Sequence, residues 1–261
     1  MSQSARRISA TCLALAATLV VAGCSQTSGP ASGLSDAVRS FADRGGPEDQ
    51  LTRQAHRWGE AYERDPDDPK TAVAYAESLD ALGRTDHAMQ ILAATVARSP
   101  NSPDLMAAHG RLLARNGDAV RAASALQKAE ALGATDWRTQ SALGAALDQV
   151  GRHADAQQRY QRALRQQPNS ASILSNYGLS QALAGDLSAA ETTLRRASSL
   201  PGSDVRVRQN LALVLGLQGK FNEAEQLARQ DMSADEAQRN TAYLREMLSQ
   251  DDRWSQIREN G

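Results

Sequence analysis

The chain has 261 residues, with 29 basic and 30 acidic side chains and a formal net charge of −1. A charge so close to neutral excludes the broad basic field by which a protein holds nucleic acid. Abundant Leu and Ala, with aromatics at 4%, favour helix over strand, and the length suits one large domain or two small ones.

Residues 1–23 read as an export signal. Arg6 and Arg7 make a positive start, and "ISATCLALAATLVVAG" (8–23) is an apolar run too short for a bilayer-spanning helix. The run ends in Val21-Ala22-Gly23-Cys24, small residues directly before a Cys. That order resembles the lipobox of bacterial lipoproteins, in which the Cys is acylated and becomes the first residue of the mature chain. The plainer reading is a secretory signal that happens to end near a Cys. The resemblance implies lipidation at Cys24, with palmitate among the acyl groups. Ser25 in the next position implies sorting to the outer membrane, facing the periplasm of a Gram-negative bacterium. Cys12 leaves with the signal, so the mature chain can form no internal disulfide. Residues 24–47 are rich in Ser and Gly and form a flexible tether, within which "LSDAVRSFAD" can make one short helical piece.

Next come five segments in one register: "GRTDHAMQIL", "GDAVRAASAL", "GRHADAQQRY", "GDLSAAETTL" and "GKFNEAEQLA". Their glycines, Gly83, Gly117, Gly151, Gly185 and Gly219, are 34 apart, and so are Ala88, Ala122, Ala156, Ala190 and Ala224. Two interlocked series at a period of 34 are the mark of the tetratricopeptide repeat, a helix–turn–helix unit. The expected fold is all-α, a right-handed superhelical solenoid of antiparallel helix pairs. Each glycine ends a first helix where a left-handed residue is needed. Each alanine sits where two helices cross closely. A small residue (Gly110, Gly144, Gly178) recurs on the first helices seven before the turn glycine; four after the recurring alanine comes a filler (Leu92, Leu126, Tyr160, Leu194), and three later another small residue (Ala129, Ala163, Ala197). Pro100 and Pro168 stop second helices, and Ser102, Asp136, Ser170 and Asp204 suit N-caps.

The expected repeats are 69–102, 103–136, 137–170, 171–204 and 205–238. A degenerate half-repeat, 48–68, precedes them, with Trp58 as filler, Ala61 as small residue and Pro66 as stop. Residues 239–261 should cap the stack, with a helix over 239–250 presenting Tyr243, Leu244, Met247 and Leu248, and a polar tail that frays.

No chemistry is legible. His56, His87, His109 and His153 fall at different repeat positions and make no metal spacing; His109 alone faces a helix, as a packed imidazole would. No phosphate loop or nucleophile motif occurs, so no enzyme, cofactor, metal or small-molecule substrate is expected. A repeat stack of this kind binds proteins in the groove lined by its first helices. In the early repeats the register puts Lys70, Glu77, Asp80, Asp104, Arg111 and Arg115 there. In the last two it puts Ser172, Ser175, Asn176, Leu179, Leu183, Arg206, Gln209, Asn210, Leu213 and Leu217. Leucines among amides suit an extended peptide, the amides bonding its backbone. The same leucines would also serve simply to pack against neighbouring helices.

Asn176 and Arg206 match two positions of the tetratricopeptide domains that clamp a peptide's terminal carboxylate. Ser141, Ala145 and Asn210 do not match the others. Capture of an extended segment, rather than a full carboxylate clamp, is therefore expected.

Over "DWRTQSALGAALDQVGRHADAQQRY", "SNYGLSQALAGDLSAAETTLRRA", "VRVRQNLALVLGLQGKFNEAEQLA" and "TAYLREML" the wording resembles the TadD-like tetratricopeptide lipoproteins of the Flp (tight adherence) pilus assembly system. The resemblance covers roughly 70–250 and implies a protein partner at the outer membrane, the secretin or another pilus assembly protein. The alternatives are a lipoprotein scaffold for general outer-membrane protein assembly or cell-wall synthesis, and the regulatory arm of a peptidoglycan enzyme complex.

Overall fold

The computed structural model describes residues 47–259, with side chains from 48 to 249. The export signal, Cys24 and the tether as far as residue 46 lie outside the described residues. Twelve helices and no strand occur among those described. They are α1 Pro47–Arg64, α2 Pro69–Ala81, α3 Thr85–Arg98, α4 Pro103–Arg115, α5 Ala119–Ala131, α6 Trp137–Gln149, α7 His153–Gln166, α8 Ala171–Leu183, α9 Leu187–Ser198, α10 Val205–Leu217, α11 Phe221–Ala228 and α12 Ala234–Glu259. No helix among the described residues is long and apolar enough to cross a membrane.

Oxygen side chains start the first helix of each pair. Asp68, Ser102, Asp136, Ser170 and Asp204 each accept from backbone N–H groups in the first turn of the helix that follows. At Asp136 burial pulls the carboxyl pKa up. The hydroxyl of Thr139 and the N–H groups of Thr139 and Arg138 outweigh it and hold the group below its ordinary value. Between the helices of each pair the chain turns through Gly83, Gly117, Gly151, Gly185 or Gly219, at φ from 73° to 90°. A Cβ at any of these would meet nothing within 4 Å. The glycine is required by backbone conformation rather than by space.

The pairs are locked from inside. The recurring alanines Ala88, Ala122, Ala156 and Ala190 are fully buried. A Cβ on Gly110 would lie 2.6 Å from Leu126, one on Gly144 2.8 Å from Tyr160, and one on Gly178 2.7 Å from Leu194. Each filler on a second helix thus enters a notch on the first helix of its own pair. Along the stack α2, α4, α6, α8, α10 and α12 pack side by side in one layer, and the second helices lie behind them, each wedged between two first helices.

Three details differ from the sequence expectation. Trp58 is not a filler: α1 buries Ala55 and Gly59, stacks Tyr62 against Tyr75 at 5.8 Å, and leaves Trp58 36% exposed. A filler needs the first helix of its own pair, and none precedes α1 among the described residues. The second helix of the fifth repeat is only 8 residues long, and α12 begins at Ala234 rather than 239. Ser233 and Glu236 form a capping box: Ser233 N donates to Glu236 Oε2 at 3.0 Å and Glu236 N to Ser233 Oγ at 3.3 Å. Lastly, α12 continues to Glu259, so the expected fraying tail is helical backbone; nothing between Ser249 and Glu259 is Gly or Pro.

α12 takes the place of a sixth first helix. Its Thr241 falls at the repeat position held by Ile173 and Val207 in the two preceding first helices, and all three are buried. Leu244 covers Gly216, where a Cβ would sit 2.8 Å from its Cδ1. Tyr243 and Met247 face outward, 64% and 40% exposed.

Candidate partner-binding surface

The layer of first helices changes character along its length. In the early repeats its charges answer one another. Arg111 Nη2 lies 3.3 Å from Glu77 Oε1, and Arg115 Nη2 lies 2.5 Å from Asp80 Oδ2, each pair joining α4 to α2. Exposed pairs like these contribute little stability, about 0–1 kcal/mol each, but they neutralise this part of the face. Lys70 and Asp104 stand in the first turns of α2 and α4.

Between α8 and α10 lies a cleft of about 140 Å³ lined by Ser172, Ser175, Asn176, Arg206 and Asn210, with backbone at Gly202. Its polar groups are partly pre-arranged. Asn210 Nδ2 donates to the buried Ser175 Oγ at 3.0 Å, across the repeat boundary. Asp204 divides its two oxygens. Oδ1 accepts from Val207 N at 3.2 Å, and Oδ2 accepts from Arg206 Nε at 3.0 Å and Nη2 at 2.8 Å. The Arg206 hydrogen bonds, followed by the Val207 N–H, hold the Asp204 carboxyl below its ordinary pKa. The Arg206 side chain is nonetheless 81% exposed. A guanidinium has five N–H donors, so donors remain beyond those that Asp204 takes, and Asn176, also in the cleft lining, is exposed beside it.

The remaining residues assigned by register are not gathered in this cleft. Gln209 and Leu213 line a second, apolar cleft of about 260 Å³ formed with α11 and α12. Leu183 is 53% exposed at the end of α8, while Leu179 and Leu217 are half-buried. Ala212, Ala224 and Ala228, which the register does not assign to the groove, also line the apolar cleft. The signal for them was present: Ala228 occupies the repeat position of Leu194, where every earlier repeat has a large filler.

Away from these clefts, polar side chains hold repeats together. Asp148 receives the Tyr160 hydroxyl at 3.1 Å and the Ser180 hydroxyl at 2.7 Å, and lies 2.9 Å from His153 Nδ1. Burial first, then the charge and hydrogen bond of Asp148, push the Tyr160 phenol pKa up, so it remains a donor. Glu130 collects Gln140, Arg159 and Arg162. Among the described residues no group of three His, Cys, Asp or Glu side chains is placed to hold a metal ion. His56 lies beside Glu60, His87 is edge-on to Tyr75, and His109 is buried with neither ring nitrogen hydrogen-bonded.

Residues 55–112, 141–204 and 205–230 each match a family model of the tetratricopeptide repeat. No curated protein sequence matches the chain. Among solved structures it is similar to the APC/C hetero-tetramer Cut9-Hcn1, at 18% identity and a TM-score of 0.60 over 74% of this chain. It spans only 40% of that chain's length. It is also similar to YrrB, described as a TPR protein with an unusual peptide-binding site, at 16% identity and a TM-score of 0.56 over 71% of this chain and 99% of that one. MamA of Desulfovibrio magneticus RS-1 gives 18% identity and a TM-score of 0.54 over 67% of this chain and 97% of that one. At these identities the likeness is one of fold. The fold generally serves as a protein-interaction scaffold without catalysis of its own. Capped helix pairs, a glycine turn in each repeat and these matches together make the chain a tetratricopeptide-repeat solenoid.

Proposed function

We propose that this chain is a lipid-anchored periplasmic scaffold that holds an extended segment of a protein partner against the layer of first helices. The observation that carries the reading is the polar cleft between α8 and α10. Asn176 and Arg206 stand at its mouth, and the Ser175–Asn210 hydrogen bond braces its floor. Arg206 is oriented by Asp204 yet open to solvent, which suits a donor to a peptide carbonyl or carboxylate. A protein of similar fold, YrrB, is described as having a peptide-binding site, which agrees with this use of the surface.

The lipobox-like "LVVAGC" and the TadD-like wording support a finer reading: an outer-membrane anchor at Cys24 and a role in assembling a Flp-type pilus, with the secretin as partner. Anchoring would raise the local concentration of a weakly bound partner. Two variants test the two halves. Asn176→Ala with Arg206→Ala should abolish partner pull-down and piliation while helicity and membrane fractionation stay unchanged. Loss of such hydrogen bonds costs about 1–3 kcal/mol, enough to lose a micromolar complex. Wild-type pull-down by the double variant would end the groove reading. Cys24→Ser should take up no labelled palmitate and leave the outer-membrane fraction; labelling equal to wild type would end the anchor reading.

A further inference from the structure

In four successive pairs the second helix supplies a large filler to its own first helix: Leu92 opposite Ala76, Leu126 opposite Gly110, Tyr160 opposite Gly144 and Leu194 opposite Gly178. These fillers are at most 2% exposed. In the fifth pair the corresponding residues are Ala228 and Ala212, and both line an open apolar cleft of about 260 Å³. Ala224, the alanine that elsewhere borders the filler, lines it too, with Leu213, Met232 and Leu244 as its other apolar walls. Gln209 and Asn240 stand at its polar edge. The shortness of α11, which stops at Ala228, leaves the slot uncovered on that side.

We propose that this vacant filler slot is a specificity pocket, which takes one large apolar side chain, Leu-, Met- or aromatic-sized, from a bound protein segment. The occupant's chemistry is read from the molecule itself, since the equivalent slots of the other repeats are filled by leucine or tyrosine. A single side chain of that size, entering from a partner, completes the fifth repeat as Leu194 completes the fourth. The pocket and the polar cleft share no lining residue but border the same helix. One helix, α10, presents Arg206 and Asn210 to the cleft and Gln209 and Leu213 to the pocket. A segment lying along that helix meets both, with Gln209 and Asn240 able to bond its backbone on either side of the inserted residue. This inference rests on reading the first-helix layer as a partner-binding surface.

Selection of a displayed library of random nonapeptides on the full chain tests it. Wild type should enrich peptides with Leu, Met or an aromatic at one fixed position. Ala228→Leu, which supplies the missing filler from within, should lose that preference and bind the selected peptides at least about tenfold more weakly, the scale expected for one buried apolar side chain. Its melting temperature should not fall, so lost binding is not lost fold. Leu213→Ala, which widens the wall, should shift the preference toward larger side chains. The Asn176→Ala, Arg206→Ala variant should keep the apolar preference while losing affinity. No apolar preference in the wild type, no enriched peptide at all, or the same peptides selected by Ala228→Leu would each overturn the pocket. If the Asn176, Arg206 variant binds like wild type while Ala228→Leu does not, the polar cleft fails and the pocket stands.

Discussion

Between Pro103 and Ser198 each helix pair is closed by its own side chains; between Val205 and Ala228 the pair is open. Both regions have the capped first helix, the glycine turn and the alanine crossing. They differ at one filler position and in the length of one helix, 12 to 14 residues in the middle against 8 at the end. The periodic residues therefore set the path of the chain, while the filler decides whether a pair is finished. A solenoid can carry one unfinished pair if the next element covers most of it, and α12 does so through Ala237, Thr241 and Leu244.

The contrast can be broken most forcefully by making a middle repeat resemble the last. Tyr160→Ala removes a fully buried ring and one donor to Asp148, and should cost about 3–5 kcal/mol in chemical denaturation. A loss below about 1 kcal/mol would mean the fillers do not govern stability. Overfilling is the next largest effect. Ala190→Leu places a large side chain at a fully buried crossing and should cost about 1–3 kcal/mol, whereas the neighbouring Ala189→Leu, half-buried, should cost less. Equal melting of the two variants would contradict the packing described.

The smallest effect concerns pH. Burial, and then the charge of Arg121, lower the pKa of His109 below its ordinary 6.5, and Asp118 opposes them weakly. A histidine depressed in the folded state takes its proton more readily when unfolded. Its stability contribution is complete above about pH 6.5 and is lost as pH falls below that value. Thermal melts should therefore decline between pH 7 and pH 5. His109→Leu, which copies Leu143 at the same position of the next repeat, should flatten that decline. An unchanged pH dependence in His109→Leu would rule out this imidazole as the source.

Much of the fold could be read from the sequence because tetratricopeptide geometry repeats itself in covalent spacing. A glycine recurring once per repeat has one backbone explanation, and the caps Ser102, Asp136, Ser170 and Asp204 follow from their places before each helix. What escaped were features that depend on a neighbour rather than on a period. Trp58 carries the filler position, but no helix precedes its own among the described residues and it stays partly exposed. The capping box of Ser233 and Glu236 is short and local, and the running repeat frame hid it. At the candidate site the register placed Asn176, Arg206 and Asn210 on one layer. It could not foresee that Asn210 would bond Ser175 or that Asp204 would hold Arg206, because rotamers of exposed polar side chains are not periodic.

The notch-and-filler pairs have a consequence for how such a chain can change length. Gly110 with Leu126, Gly144 with Tyr160 and Gly178 with Leu194 each lie inside one unit. A unit duplicated or lost by recombination would carry its own closure with it. The bonds that cross unit boundaries behave differently. Ser180 to Asp148, Arg111 to Glu77 and Asn210 to Ser175 join particular neighbours, and no two of these pairs use the same chemistry. They act as addresses. They make the order of units matter, so that a gene free to gain or shed repeats still has reason to keep these in sequence.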